Sequence, residues 1–155
     1  MRSDFLNENS SLTGTYVKKI KKLTEDYTVT EADSGTTFLV NPTATTALTM
    51  PTVADLPSGW NCEVWITEDT DGADGGDDQI TNIDFGSGTD IVGFIASIAD
   101  AAGDVAVNND DFVNFTAAAS AGDHVKIFTD GNRWYVEGMA AACGSDTLFH
   151  TAAAS

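Results

Sequence analysis

The feature that most constrains this chain is the brevity of its apolar runs. They are short, rich in β-branched and aromatic residues, and closed every few positions by Gly, Pro or Asx. Tyr27 to Thr30 is the first such run, with a turn at Asp33-Ser34-Gly35. Thr36 to Asn41 is closed by Pro42, and Thr45 to Met50 by Pro51. Leu56-Pro57-Ser58-Gly59 reads as a loop, followed by the clear strand Trp60 to Thr67. Ile80 to Phe85 ends at Gly86-Ser87-Gly88, and Asp111 to Thr116 gives a further strand. His124 to Thr129 and Arg133 to Gly138 flank Asp130-Gly131-Asn132, residues that tolerate positive φ, which predicts a hairpin. A last strand is expected at Thr147 to His150.

Two stretches fit less cleanly. Tyr16 to Leu23 matches neither helical nor strand spacing. Residues 91–107 are alanine-rich, but Gly93 and Gly103 would each cost a helix about 1 kcal/mol. Strands at 92–98 and 104–107 are therefore expected. Strands without a long amphipathic helix predict an all-β fold: a small antiparallel β-barrel or sandwich, jelly-roll or β-tulip-like. Residues 1–14 are polar and rich in Asn and Ser, so an extended N-terminal arm over 1–25 is expected to precede a domain over 26–155.

Charge divides the chain in the same way. Residues 1–22 carry Arg2, Lys18, Lys19, Lys21 and Lys22 against Asp4 and Glu8, a net +3. The rest holds Lys126 and Arg133 against 22 anions, a net −20. A body this acidic repels nucleic acid and anionic membranes, so neither is an expected partner. No run approaches the roughly 20 apolar residues that span a bilayer. Residues 1–25 lack the pattern of a secretory signal, which predicts synthesis and folding in a cytoplasm. Cys62 and Cys143 form no ligand or redox spacing and are expected as buried thiols, with a single long-range disulfide the alternative.

Alternation sorts the strand side chains into two faces. Trp60, Cys62, Val64 and Ile66 share a core face, with Trp65 the odd member of the opposite, polar one. Val125 and Ile127 point in while His124, Lys126 and Phe128 point out; Trp134 and Val136 point in while Arg133, Tyr135 and Glu137 point out. Trp65, Phe128 and Tyr135 are thus aromatics on polar faces. They are either scattered surface residues or candidates for a subunit interface, where buried aromatics carry most of the association energy.

Motifs for catalysis are scarce. His124 and His150 sit in no HExxH pattern, and there is no GxSxG elbow, Walker loop or GxGxxG fingerprint, so an enzyme is not expected. No cofactor is implied. The acidic stretch 68–78 departs from the EF-hand pattern and reads as a solvated loop, with Asp69, Asp71 and Asp74 a weak alternative cation site. Lys18, Lys19, Lys21 and Lys22 are expected to meet carboxylates, on a partner or on this chain's own body.

Two segments carry a family resemblance. Tyr27 to Asn41 (YTVTEADSGTTFLVN) and Leu48 to Pro51 (LTMP) resemble a recurrent opening of phage head-decoration and tail-fibre modules. Ala121 to Gly138 (AGDHVKIFTDGNRWYVEG) is similar to their ending. The resemblance implies a trimeric β-tulip-like domain projecting from a virion, with the acidic loop and the alanine-rich tail as departures. The expected function is a capsid decoration, or cement, protein. It would bind the major capsid protein on the outer capsid surface as a homotrimer, and resist expansion through multivalency. Phe5, Leu6 and the four lysines are its capsid-docking candidates. The alternative is a receptor- or glycan-binding fibre module, with Trp65, Trp134 and Tyr135 as sugar-stacking residues.

Overall fold

The computed structural model describes residues 18–41, 46–68, 81–89, 91–97, 105–115, 119–140 and 149–150, without the side chains of 97, 105–110 and 149–150. Among them are twelve strands: β1 (Lys19–Leu23), β2 (Tyr27–Thr28), β3 (Thr36–Val40), β4 (Thr46–Thr49), β5 (Asn61–Ile66), β6 (Thr81–Asp84), β7 (Ile91–Ser97), β8 (Val105–Asp110), β9 (Phe112–Phe115), β10 (His124–Thr129), β11 (Trp134–Ala140) and β12 (Phe149–His150). The all-β expectation holds. Residues 91–97, whose alanines left a helix open, are a strand.

The strands form a seven-stranded sheet, β1-β3-β5-β10-β11-β7-β8, and a five-stranded sheet, β12-β9-β6-β4-β2. Up to β7 the chain alternates between the two sheets. A strand that leaves for the other sheet and returns comes back in the same direction. The pairs β1–β3, β3–β5, β2–β4 and β4–β6 are accordingly parallel. The β10–β11 hairpin then inserts between β5 and β7, antiparallel to β5 and parallel to β7. This corrects the expectation of an antiparallel fold: both sheets are mixed. Closely spaced turn residues suggest hairpins, but several of these turns carry the chain across to the other sheet.

Local chemistry explains the sharper corners. After β2, Asp33 closes a single 3₁₀ turn (Glu31–Asp33): its Oδ2 accepts from Thr30 N at 2.8 Å and Thr30 Oγ1 at 2.9 Å. The Glu31 carbonyl of that turn accepts from buried Trp60 Nε1 at 2.9 Å, tying the turn to the core. In the β10–β11 hairpin, Asp130 Oδ1 accepts from the backbone N of Asn132 and of Arg133 at 2.8 and 3.0 Å. Gly131 there has φ 92°, which an L side chain rarely adopts.

The inward faces of both sheets share one core. Phe38, Val64, Ile127, Trp134 and Ile95 come from the larger sheet, and Leu48, Ile83, Val113 and Phe115 from the smaller. Cys62 is a free thiol on that inner face, and burial followed by the charges of Asp33 and Glu63 pushes its pKa far up. It is inert as a nucleophile. Cys143 lies outside the described residues.

Candidate interaction face on the larger sheet

The outward face of the seven-stranded sheet is built by the alternation that fills the core. Odd positions of β5 and even positions of β10 point away from the core, and register sets them side by side: Trp65 with His124, Glu63 with Lys126, Asn61 with Phe128. On the other side of β10, His124 pairs with Met139, Lys126 with Glu137 and Phe128 with Tyr135. β7 adds Phe94 beside Glu137 and Val92 beside Tyr135. Towards the opposite edge, Leu39 lies beside Trp65 and Thr37 beside Glu63, and β1 then contributes Lys22 and Ile20.

Exposure singles this face out. Among the described residues the exposed large apolar side chains are Ile20 (61%), Phe94 (49%), Met139 (45%) and Phe128 (44%). All four project from this one face. Single exposed apolar residues need no explanation, but four on one face beside aromatic rings make this face the candidate interaction surface.

The aromatic rings form two stacks. The Trp65 and His124 rings are parallel within 7°, with centroids 4.0 Å apart. Phe128 and Tyr135 stack at 5.0 Å and 12°. Tyr135 is tied further, its hydroxyl donating to Asp130 Oδ2 at 3.0 Å. Trp65, Phe128 and Tyr135 therefore share a face, but the Glu63–Lys126 row stands between Trp65 and the other two.

That row is an alternating charge ladder. Lys18 Nζ donates to Glu63 Oε2 at 2.6 Å, and Lys126 Nζ donates to Glu137 Oε1 at 3.2 Å. Glu63 Oε2 also accepts from Trp65 Nε1 at 3.1 Å and Thr37 Oγ1 at 3.4 Å. Partial burial alone would raise the Glu63 pKa. Hydrogen bonds from Lys18 and Trp65, with the charges of Lys18 and Lys126, outweigh that and hold it below the ordinary value.

A carboxylate with a depressed pKa contributes stability above its unfolded pKa, about 4.3, and loses it as pH falls through the lower folded value. Glu63→Gln is expected to lower stability at pH 7 by up to about 1 kcal/mol, the scale of a part-exposed pair. It should also flatten the decline in stability below about pH 4.3. Urea midpoints of both proteins across that range check the sign; equal slopes would remove Glu63 from the account.

The lysines expected to dock on a capsid are largely engaged on their own body. Lys18 pairs with Glu63; Lys19 Nζ donates to Ser34 O at 3.1 Å and Ala32 O at 3.4 Å; Lys21 Nζ lies 3.5 Å from the Tyr27 ring centroid. Lys22 is exposed. Residues 19–23, included in the expected arm, are the edge strand β1 of the larger sheet. Phe5, Leu6, Asp69, Asp71 and Asp74 lie outside the described residues. Among the described residues no group of three or more His, Cys, Asp or Glu is placed to hold a metal ion, and no helix is long and apolar enough to cross a membrane. Trp134, a sugar-stacking candidate in the alternative reading, is a core residue at 1% exposure, because its strand parity turns it inward.

Sequence reasoning missed Ile20, Phe94 and Met139. Ile20 sits in the ambiguous lysine-rich stretch, Phe94 beside Gly93, and Met139 past the expected end of its strand. The chain matches no protein-family model and no curated protein.

Proposed function

We propose that this protein is a non-enzymatic structural component of a phage virion, a decoration protein that self-associates and binds the major capsid protein on the outer surface of the head. The observation that carries the reading is the outward face of the larger sheet. In a chain of net charge −17, it carries the four exposed large apolar side chains found among the described residues, around a nearly balanced charge row. Such a face suits burial in an assembly. The sequence resemblance supplies the virion and, with it, an expected three-fold assembly.

The glycan-binding reading is weaker on the same face. Sugar stacking needs an open ring face with hydrogen-bonding groups beside it. Here one face of Trp65 is covered by His124 and one face of Tyr135 by Phe128, and the exposed large apolar groups Phe94, Met139 and Ile20 flank them.

Binding to undecorated phage heads, followed by co-sedimentation, tests the proposal. The full chain is expected to bind, and Phe5→Asp combined with Leu6→Asp to weaken binding at least about tenfold without changing the thermal melt. A protein that ignores heads but binds host-cell glycans would replace this reading with the fibre one.

A further inference from the structure

We propose that the outward face of the larger sheet is covered by the same face of a second copy, related by a two-fold axis that runs along the strands between β5 and β10. The inference rests on reading this face as an assembly surface, and it names the occupant.

Two bodies of −17 each repel, and repulsion is least where the approaching surfaces are close to neutral. Among the described side chains this face carries Lys18, Lys22 and Lys126 against Glu63 and Glu137, with Asp130 at its margin on the Tyr135 hydroxyl, three cations to three anions. A second copy would present this same described face, so its complementarity can be worked out row by row.

The strand order across the face is β1-β3-β5-β10-β11-β7. Rotation by 180° about an axis along the strands, set between β5 and β10, keeps every row at its height and reverses the strand order. β5 then faces β10 of the second copy, β3 faces β11, and β1 faces β7. Register decides which side chains meet. Glu63 faces Lys126 of the second copy, and Lys126 faces its Glu63. Leu39 faces Met139, and the Trp65–His124 stack meets its own copy in reversed order. At the outer strands Ile20 faces Phe94. Opposite charges thus meet at the centre of the face and apolar partners meet at Leu39–Met139 and Ile20–Phe94, as suits an isologous contact, while Asn61 faces Phe128, Glu137 faces Thr37 and Lys22 faces Ala96. An axis laid across the strands would place Lys126 against Lys126 and Glu63 against Glu63. Packed sheets cross at about 30°, which displaces the outer pairs most and the central Glu63–Lys126 pair least.

A two-fold contact differs from the three-fold assembly that the resemblance implies, and mass separates them. Sedimentation velocity of the full-length protein across a concentration series should show twice the monomer mass at the upper end. Phe94→Lys should raise the dissociation constant at least about tenfold. Lys126→Glu should do the same by setting like charges opposite each other, and Glu63→Lys combined with Lys126→Glu should restore the dimer. Thermal melts of each variant check folding, and Asn132→Asp in the β10–β11 turn serves as a surface control. A monomeric or trimeric wild type, or a Phe94→Lys protein of unchanged mass, overturns the contact. Head binding is not part of this measurement, so a monomer that still coats heads would overturn the contact and leave the decoration reading standing.

Discussion

Gly93→Ala is expected to destabilise the protein by about 3 kcal/mol or more, the upper range for overpacking a filled site. Gly93 lies in β7 opposite Val136 of β11, and an added Cβ would sit 1.8 Å from the Val136 carbonyl oxygen and 2.7 Å from its carbon. Both atoms are backbone, so no side-chain rotation relieves the overlap. β7 would have to withdraw from β11, and β8, which pairs with β7, would move with it. That is a large part of the 5–15 kcal/mol available to a typical domain. Gly138 offers an internal comparison: its added Cβ would meet the His124 carbonyl at 2.8 Å, a milder overlap. Guanidinium unfolding should rank the proteins wild type, Gly138→Ala, Gly93→Ala in falling midpoint. A Gly93→Ala midpoint equal to wild type would mean that the two strands do not approach this closely.

The same glycine shows what the sequence could and could not reveal. In Trp60 to Ile66 and His124 to Val136 the alternation of apolar and polar residues is clean, because one face is buried and the other is not. Those strands, their parity and the hairpin at Asp130 were therefore legible. Pairing was not. Periodicity reports which side of a strand is buried and carries nothing about its neighbour, so the parallel pairs made by switching sheets were invisible. Gly93 read as a helix breaker, whereas in the fold it permits the close approach of β11. Part of the candidate face was legible for the same reason: Trp65, Phe128 and Tyr135 stood out as aromatics at polar positions. Its apolar margin was not, since Ile20 and Phe94 become outward-facing only once β1 and β7 have partners. The lysines illustrate a third kind of limit. Their attraction to carboxylates follows from charge, but that Lys18 should find Glu63, 45 positions away, follows from β1 lying two strands from β5.

Trp134→Ala should be the most damaging substitution in the core, at about 3–5 kcal/mol. Trp134 opens β11 at 1% exposure and meets two other aromatics edge-on: Trp60 at 5.6 Å and 80°, and Phe85 at 5.5 Å and 64°. Trp60 leads into β5 of the larger sheet, while Phe85 follows β6 of the smaller one. The indole therefore joins the two sheets where the chain crosses between them, and truncation removes a contact from each. Edge-to-face pairs add about 0.5–1.5 kcal/mol beyond the area they bury, so Trp134→Phe should recover much of the loss. Its neighbours give the experiment a local reporter. Loss of Trp134 frees one edge of Trp60, whose indole N–H is held by the Glu31 carbonyl at 2.9 Å. In Trp134→Ala, Trp60 emission should shift to the red before global unfolding, while in Trp134→Phe it should stay near the wild-type position. If Trp134→Ala unfolds at the wild-type denaturant concentration, the two sheets are held together elsewhere, and this aromatic junction is not what joins them.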